Sequence, residues 1–326
     1  MANAHTMDTA KIIAPVKGSR MHRFKRALRK NYAYYIMFII PFFHFLIFQY
    51  IPMLGNIIAF RRFSFRSPFT AFFGAEWIGF EMFELFLTSP QFWGVFLNTV
   101  ILSAYGLIFA YPVPIIFALM LNELRNGPFK KFVQTCSYLP HFISMVVAVG
   151  MVIQILSPHG GIVNTVRNFF GLESIFFMQM PEWFRTIYIS SGIWQSMGMS
   201  AILFIAALAG VDPELYEAAV LDGAGKLKQT WHVTLPGIAP AIVITLIFNI
   251  GGMLGNNVER ILLMYNPLTM PVADVIGTFV FRVGLASPNP AFSFATAIGL
   301  FNSVIGLGLV MFANWFARRV SEISLW

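Results

Sequence analysis

The chain contains six long stretches without a single Asp, Glu, Lys or Arg, and they cover residues 31–60, 85–122, 132–166, 186–211, 229–258 and 283–317. Each is longer than the roughly 20 residues that a helix needs to cross the hydrocarbon core of a bilayer. Because backbone groups in lipid must be hydrogen-bonded within the protein, such stretches span a membrane as helices or as a closed barrel. They lack the alternation of apolar and polar positions that is typical of barrel strands. The pattern therefore predicts an all-α integral membrane protein with six transmembrane helices.

Proline, glycine and polar clusters narrow these stretches to predicted spans at about residues 32–60, 94–120, 137–156, 187–208, 237–264 and 291–315. The expected organisation is a basic segment, residues 1–30, followed by a six-helix transmembrane domain, residues 31–326. A polar connection between the fourth and fifth spans covers about residues 211–236. No stretch long enough for a separate soluble domain remains.

Basic residues predict how the chain is oriented in the membrane, because Lys and Arg are enriched in cytoplasmic loops. Residues 1–30 carry eight of them against Asp8, and the same predicted side holds Arg125, Lys130, Lys131, Arg318 and Arg319. On the opposite side Arg61, Arg62 and Arg66 are partly balanced by Glu76, Glu81 and Glu84. Both termini are therefore predicted to be cytoplasmic. We interpret the basic segment as a topology and lipid-binding signal rather than as a nucleic-acid site.

Composition argues against several chemistries. Charged residues make up 11% of the chain, against about 25% in soluble domains. Cys136 is the only cysteine, so neither an intrachain disulfide nor a thiolate metal site is expected. The six histidines include no pair at metal-ligand spacing, and no nucleophile or dinucleotide motif is present. We expect no metal, no cofactor and no catalytic role in this chain.

The loop at 211–236 contains Gly225-Lys226, which resembles the end of a phosphate-binding loop. That motif requires glycine five positions earlier and Ser or Thr after the lysine, whereas this chain has Val220 and Leu227. The residues predict instead two short helices joined by a bend, with Asp212 as N-cap and Gly223 at the turn. Acids outnumber bases in this loop on an otherwise basic side. That reversal favours another protein, rather than lipid, as its neighbour.

The same loop resembles a known family signature. Glu217-Ala218-Ala219, Gly223, Val233 and Leu235-Pro236 fit the pattern E-A-A-x3-G-x9-[IV]-x-L-P, which marks the membrane-spanning subunits of binding-protein-dependent ABC importers. The resemblance implies a type I ABC importer permease fold in which this loop is the coupling helix that docks onto the ATPase. The alternative is an amphipathic interfacial helix that matches by chance. The residues it assigns to ATPase coupling are Tyr216, Glu217, Ala218, Ala219, Asp222, Gly223 and Pro236.

Other stretches resemble the oligosaccharide branch of this family, including permeases for alginate and other polysaccharide fragments. They are "FWGVFLNTVILS" at 92–103, "ELYEAAVLDGA" at 214–224 and the end of the chain from residue 262. The resemblance implies two copies of a separate ATPase that binds ATP and magnesium, and a second permease subunit in a heterodimer. It also implies an extracytoplasmic solute-binding protein and a location in the bacterial cytoplasmic membrane.

Polar residues inside a span are costly and usually face a pathway or each other. The fifth span holds Asn249, Asn256, Asn257, Glu259 and Arg260, and the spacing of 249, 256 and 260 predicts one shared helix face. In the family this region tends to read glycine, aromatic, Glu, Gln, so Arg260 replaces a neutral amide. Because arginine binds carboxylates bidentately, we hypothesise an acidic oligosaccharide as substrate. A salt bridge between Glu259 and another residue, or a position of Arg260 at the outer rim, would explain the same residues.

Trp194 and Gln195 in the fourth span are a second candidate pair, since sugar rings stack on indoles and hydrogen-bond to amides; Asn302 in the sixth span is a third candidate. Packing is the competing explanation for all three. An ion-gradient-driven secondary transporter is the alternative function, but such proteins usually carry several carboxylates within their spans. Here only Glu259 comes near one.

Overall fold

The computed structural model describes residue 21 and residues 28–63 and 74–320, all of which are helix, turn or loop except for one isolated bridge between Arg61 and Trp77. Most of the basic segment, including residues 1–20, lies outside the described residues, as does Arg66. The long helices are α1 (Tyr32–Phe60), α3 (Phe92–Glu123), α7 (Pro181–Leu208), α9 (Lys226–Gly255) and α13 (Phe292–Val320). The shorter ones are α2 (Glu81–Leu87), α4 (Pro128–Tyr138), α5 (Met145–Ile155), α6 (Ile162–Phe169), α8 (Pro213–Leu221), α10 (Val258–Met264), α11 (Met270–Ala273) and α12 (Ile276–Ala286).

Five of the six predicted spans are long apolar helices, and the remaining one, the third along the chain, is a pair of helices joined at a bend. The predicted span 137–156 is divided between α4, which continues as a 3-10 turn to Phe142, and α5; their axes differ by 105°. Pro140 lies in that turn, and the side chain of Ser144 then caps α5 by accepting a hydrogen bond from the Val147 N–H. The prediction of six apolar helical segments is confirmed, although the third is not straight.

The fifth span differs from its prediction at both ends. Its helix begins in the polar loop at Lys226, ends at Gly255 and is followed at Asn256 by non-helical backbone (φ −4°, ψ 147°). Gly251, Gly252 and Gly255 weaken the helix before the break. The Asn257 side chain then caps α10 by accepting a hydrogen bond from the Arg260 N–H at 2.9 Å. The expectation of one helix through residue 264 was therefore wrong.

The chain divides into two compact units, residues 1–56 and 57–326. In the first, no side chain from Tyr32 to Leu54 is buried. In the second, α7 packs against α3 and α9 through a cluster of Ile115, Ala118, Ala201, Phe204, Leu208 and Ile238. A second, aromatic cluster joins α2, α3, α12 and α13 through Phe86, Phe92, Phe279, Phe294 and Phe301. These packed helices form the walls of a cavity.

Candidate substrate cavity and coupling loop

A cavity of about 530 Å³ lies between α3, α7 and α9, with Arg260 of α10 at its edge. Its lining mixes aliphatic side chains with hydroxyls, amides and one guanidinium. The polar lining residues are Ser103, Tyr111, Tyr188, Ser196, Ser200, Thr245, Asn249, Asn256 and Arg260. A mixed lining of this kind binds polar ligands that also offer apolar faces.

Asn249, Asn256 and Arg260, which the sequence assigns to one shared helix face, all line this cavity. The reason is different, however, because the helix breaks between Asn249 and Arg260 and the three do not share one helix face. The break turns the Asn256 amide toward α3, where it donates to the Ser103 hydroxyl at 3.2 Å and the Thr99 carbonyl at 3.4 Å. The broken backbone therefore brings the two asparagines and the arginine to one cavity.

Arg260 is 9% exposed and is held by neutral groups. Its Nη2 donates to Gln195 Oε1 at 2.6 Å, and its guanidinium lies 5.8 Å from the centre of the Tyr188 ring. No carboxylate lies within salt-bridge distance of it in the described part of the chain. The two alternatives for these residues find no support: Arg260 is buried rather than at a rim, and Glu259 is exposed and forms no salt bridge with any residue that the structure describes.

Gly192 of α7 makes room for this guanidinium. A Cβ atom at position 192 would overlap Arg260 Nη1. Neighbouring Gln195, one turn further on, fixes the same side chain and donates its own Nε2 to the Ile143 carbonyl at 3.1 Å. Sequence reasoning missed Gly192 and Tyr188, because their role depends on a residue about 70 positions away that only packing brings near.

The fit at Gly192 predicts a stability effect. Gly192→Ala forces the Arg260 guanidinium to shift and so weakens its hydrogen bond to Gln195, and a hydrogen bond to a charged group contributes about 1.5–3 kcal/mol. We expect Gly192→Ala to lower the melting temperature of the purified protein. Gly106→Ala is the matched control, since Gly106 lines the same cavity with open space around it. It should be neutral or slightly stabilising, and equal melting temperatures for the two variants would contradict the packing argument.

The predicted pair Trp194 and Gln195 lies mostly in different surroundings. Neighbours on a helix point in directions about 100° apart, so Gln195 is buried against Arg260 while Trp194 faces a largely apolar groove with Trp183 and Ile187. The two side chains also line one small pocket together with Arg260, and their joint contact with a sugar stays a prediction. Asn257 and Glu259 are both exposed and do not line the cavity.

Asn302 of α13 lies behind the break in α9 rather than in the cavity. Its amide nitrogen donates to the Leu254 carbonyl at 3.3 Å, and its Oδ1 is buried without a hydrogen-bond partner. This contact satisfies a carbonyl at the end of α9, where the helix can no longer do so. The structure thus gives Asn302 a supporting position.

The loop at 211–236 has the two-helix form predicted from its residues. Asp212 Oδ1 accepts a hydrogen bond from the Glu214 N–H at 2.9 Å at the start of α8, and Gly223 has φ +75° at the turn after it. The second helix is not short, because it is the beginning of α9. The loop is tied to the spans at two points: the Tyr216 hydroxyl donates to Thr234 Oγ1 at 3.1 Å, and Lys226 Nζ lies 3.2 Å from Glu123 Oε2.

The remaining signature residues lie on or near the surface of this loop. Glu217, Ala218, Asp222, Gly223 and Pro236 are exposed, and Ala219 is half-buried. Between them the loop exposes large apolar side chains, with Leu221 88%, Leu227 79% and Trp231 68% exposed. Sequence reasoning did not single out these three. Apolar residues among charged ones in a polar loop were the available signal.

Comparison with known proteins agrees with this architecture. Residues 110–322 match the family described as the binding-protein-dependent transport system inner membrane component. The chain is 41% identical to the polygalacturonan/rhamnogalacturonan transport system permease protein YteP of Bacillus subtilis (strain 168), over 98% of this chain and all of that one.

Solved structures give the same result. The chain superposes with a TM-score of 0.83, at 40% identity, on a chain of a bacterial ABC transporter involved in the import of the acidic polysaccharide alginate, covering 92% of this chain and 99% of that one. A second structure, a bacterial alginate ABC transporter in complex with an alginate pentasaccharide-bound periplasmic protein, also gives 0.83, at 39% identity, with coverage of 93% and 100%. Both show the type I importer permease fold.

The chain therefore belongs to the binding-protein-dependent transport system inner membrane components. It is a multi-pass membrane permease of the ABC transporter class, and the resemblance drawn from its 217–236 signature is confirmed at the level of the family.

Proposed function

We propose that this chain is the translocation subunit of an ATP-driven importer of acidic oligosaccharides, with uronic acid oligomers as the substrate class. The observation that carries the substrate is Arg260, a buried guanidinium at the edge of a polar cavity whose only described hydrogen-bond acceptor is the neutral Gln195. A buried charge without an opposite partner is strongly unfavourable. A substrate carboxylate would supply that partner and form a charge-assisted, bidentate hydrogen bond.

The names of the similar proteins support the same substrate class. Polygalacturonan and alginate, for which YteP and the solved importer are named, are both polymers of uronic acids. Asn249, Asn256 and the hydroxyls of the cavity offer hydrogen bonds to sugar hydroxyls. In this proposal Gln195, Asn257 and Asn302 position the residues of the pathway, Trp194 borders the small pocket next to Gln195 and Arg260, and Glu259 is exposed away from the cavity.

The proposed partners follow from the family. The chain itself is non-catalytic; two copies of an ABC ATPase hydrolyse ATP with magnesium, and an extracytoplasmic binding protein delivers the oligosaccharide. A second, related permease completes the pathway as a heterodimer in the bacterial inner membrane, with both termini cytoplasmic. Alternating access follows when ATPase closure moves the coupling loop.

The coupling surface in this proposal is the exposed part of the loop at 211–236. Glu217, Ala218, Ala219, Asp222 and Gly223 face the ATPase, and Pro236 lies within α9, the helix that the loop moves. Leu221, Leu227 and Trp231 add exposed apolar area, which is the usual core of a protein interface. Tyr216 points the other way and joins α8 to the base of α9.

That position of Tyr216 predicts a coupling defect. Tyr216→Phe removes the hydrogen bond to Thr234, worth about 1 kcal/mol, but leaves the docking surface unchanged. We expect the ATPase to remain bound and active, while the number of sugars imported per ATP falls by about threefold to fivefold. The measurement is paired uptake and hydrolysis in proteoliposomes. Loss of ATPase binding by this variant would place Tyr216 in the docking surface instead.

Uptake by cells tests the function as a whole. Deleting this gene in its native bacterium should abolish uptake of radiolabelled trigalacturonate and leave uptake of neutral galactotriose unchanged, and the wild-type gene should restore it. An ATPase subunit should co-purify with the tagged chain. Retained trigalacturonate uptake after deletion, or galactotriose as the sugar lost, would overturn the proposed substrate class.

A further inference from the structure

A second arginine lies about one helical turn beyond one end of the cavity. Arg185 precedes Tyr188 by three positions on α7 and therefore shares the helix face whose next turns, at Gly192 and Ser196, line the cavity. Its partner Asn98 precedes Leu102 by four positions on α3, on the face of that helix that lines the opposite wall. The pair therefore bridges the two walls one turn beyond the cavity, on the side predicted to be external.

Arg185 is held by neutral groups only. Its Nη2 donates to Asn98 Oδ1 at 3.0 Å, and its Nε is buried without a hydrogen-bond partner. The Asn98 amide is fixed in turn, since its Nδ2 donates to the carbonyls of Pro271 at 2.8 Å and Asp274 at 3.2 Å. Among the described residues no carboxylate forms a salt bridge with Arg185. Its positive charge therefore has a fixed direction and no salt-bridge partner among the described residues.

Nearby Arg282 shows how this fold neutralises an arginine that has a structural role. Its Nη2 and Nη1 bind Asp274 Oδ2 and Oδ1 at 2.6 and 3.0 Å, a bidentate pair. Neither Arg185 nor Arg260 has such a carboxylate in the part of the chain that the structure describes. An unpaired charge within a membrane protein is costly and is a functional site by default. The contrast with Arg282 therefore points to an anionic ligand that binds Arg185 and Arg260 together.

We propose that Arg185 is a second carboxylate-binding residue, so that the pathway reads two acidic sugars of a single oligosaccharide. This inference rests on the proposed uptake of acidic oligosaccharides. The Arg260 guanidinium lies at Gly192, and the backbone of Arg185 is seven residues along α7 from that position, a rise of about 10 Å. On this spacing we assign the two carboxylates to different units of the oligomer. A carboxylate is also a stronger acceptor for Arg185 than the neutral Asn98 amide.

The test uses one trisaccharide in three charge forms. The three forms of trigalacturonate have all carboxylates free, a single carboxylate free, or every carboxylate methyl-esterified. They share one sugar backbone and differ in the number of negative charges. The complete importer, with its binding protein in excess, is reconstituted in proteoliposomes as wild type, Arg185→Gln and Arg185→Lys. Glutamine keeps a hydrogen-bond donor toward Asn98 without the charge, whereas lysine keeps the charge. Each variant is compared with wild type on the same sugar, so that selection by the binding protein cancels.

We expect Arg185→Gln to lower uptake of the fully ionised trimer about tenfold and to change uptake of the single-carboxylate trimer less than about twofold, with Arg185→Lys close to wild type. Equal losses on all three sugars, or no loss on any, would overturn the second carboxylate site. Failure of the proposed substrate class looks different: wild-type importer would then take up the fully esterified trimer as fast as the free acid.

Discussion

Arg260→Gln is expected to lower uptake of trigalacturonate by about tenfold to a hundredfold, because a hydrogen bond to a charged group contributes about 1.5–3 kcal/mol. Uptake of the fully methyl-esterified trimer should change by less than about twofold, since an ester cannot form the charge-assisted pair. The substitution preserves an amide donor toward Gln195, so the buried contact is not left empty. The measurement is initial uptake of both sugars by the reconstituted importer.

Arg167→Gln is the matched control for this prediction. Arg167 of α6 donates to the Glu173 carbonyl and does not line the cavity, so its loss removes one positive charge without touching the proposed pathway. Both sugars should then be taken up at wild-type rates. If Arg260→Gln lowers uptake of the ester as much as that of the acid, Arg260 supports the helix break and does not read charge.

The largest coupling effect is expected at Gly223. Its φ of +75° is unfavourable for any residue with a Cβ, by about 1–2 kcal/mol and more when that residue is β-branched. Gly223→Val should therefore change the direction in which the chain leaves α8 and lower ATP-driven uptake about tenfold. ATPase binding and uptake in proteoliposomes measure the effect.

Gly225→Val, two residues further on, is the control that separates backbone strain at the turn from the added volume of the valine side chain. Gly225 has φ −70°, which valine readily adopts, and a Cβ there would meet open space. Uptake by this variant should remain within about twofold of wild type if only the turn matters. Equal losses in both variants would mean that the ATPase contacts both positions closely, and the turn would lose its special role.

Much of the fold follows from the sequence because spans are long and charge-free. The number of spans and their approximate bounds depend only on the length of the uncharged stretches, which can be read directly from the sequence. The bend between α4 and α5 and the break at Asn256 do not follow in this way. The bend depends on Ser144, which caps α5, and the break depends on Asn257, which caps α10, and on Ser103, which binds Asn256. The effect of these partners competes with helix propensity.

The candidate site was partly predictable for the same reason. Asn249, Asn256 and Arg260 stood out because polar residues are rare within a span. Arg185 did not, since it lies just outside an uncharged run and looks like a boundary residue. Its meaning comes from Asn98, 87 positions away in the sequence. Tertiary packing, rather than any local pattern, places these two beside the cavity.

The coupling loop gives the opposite lesson. Its helix starts and its turn were readable from Asp212 and Gly223, because capping and positive φ are local requirements. Which side chains face outward was not readable: Tyr216 turns inward to Thr234, while Leu221 is almost fully exposed. That arrangement depends on how α8 rests against α9.

ATPase stimulation in proteoliposomes is the most direct measurement of the central claim, that this chain couples ATP hydrolysis to import of acidic oligosaccharides. The complete importer and its binding protein are assayed with trigalacturonate and with neutral galactotriose at equal concentrations. We predict that trigalacturonate stimulates hydrolysis and that galactotriose leaves it at the basal rate. Stimulation by galactotriose alone would contradict the acidic substrate, and an assembly that neither retains nor stimulates an ATPase would contradict the role assigned to residues 211–236.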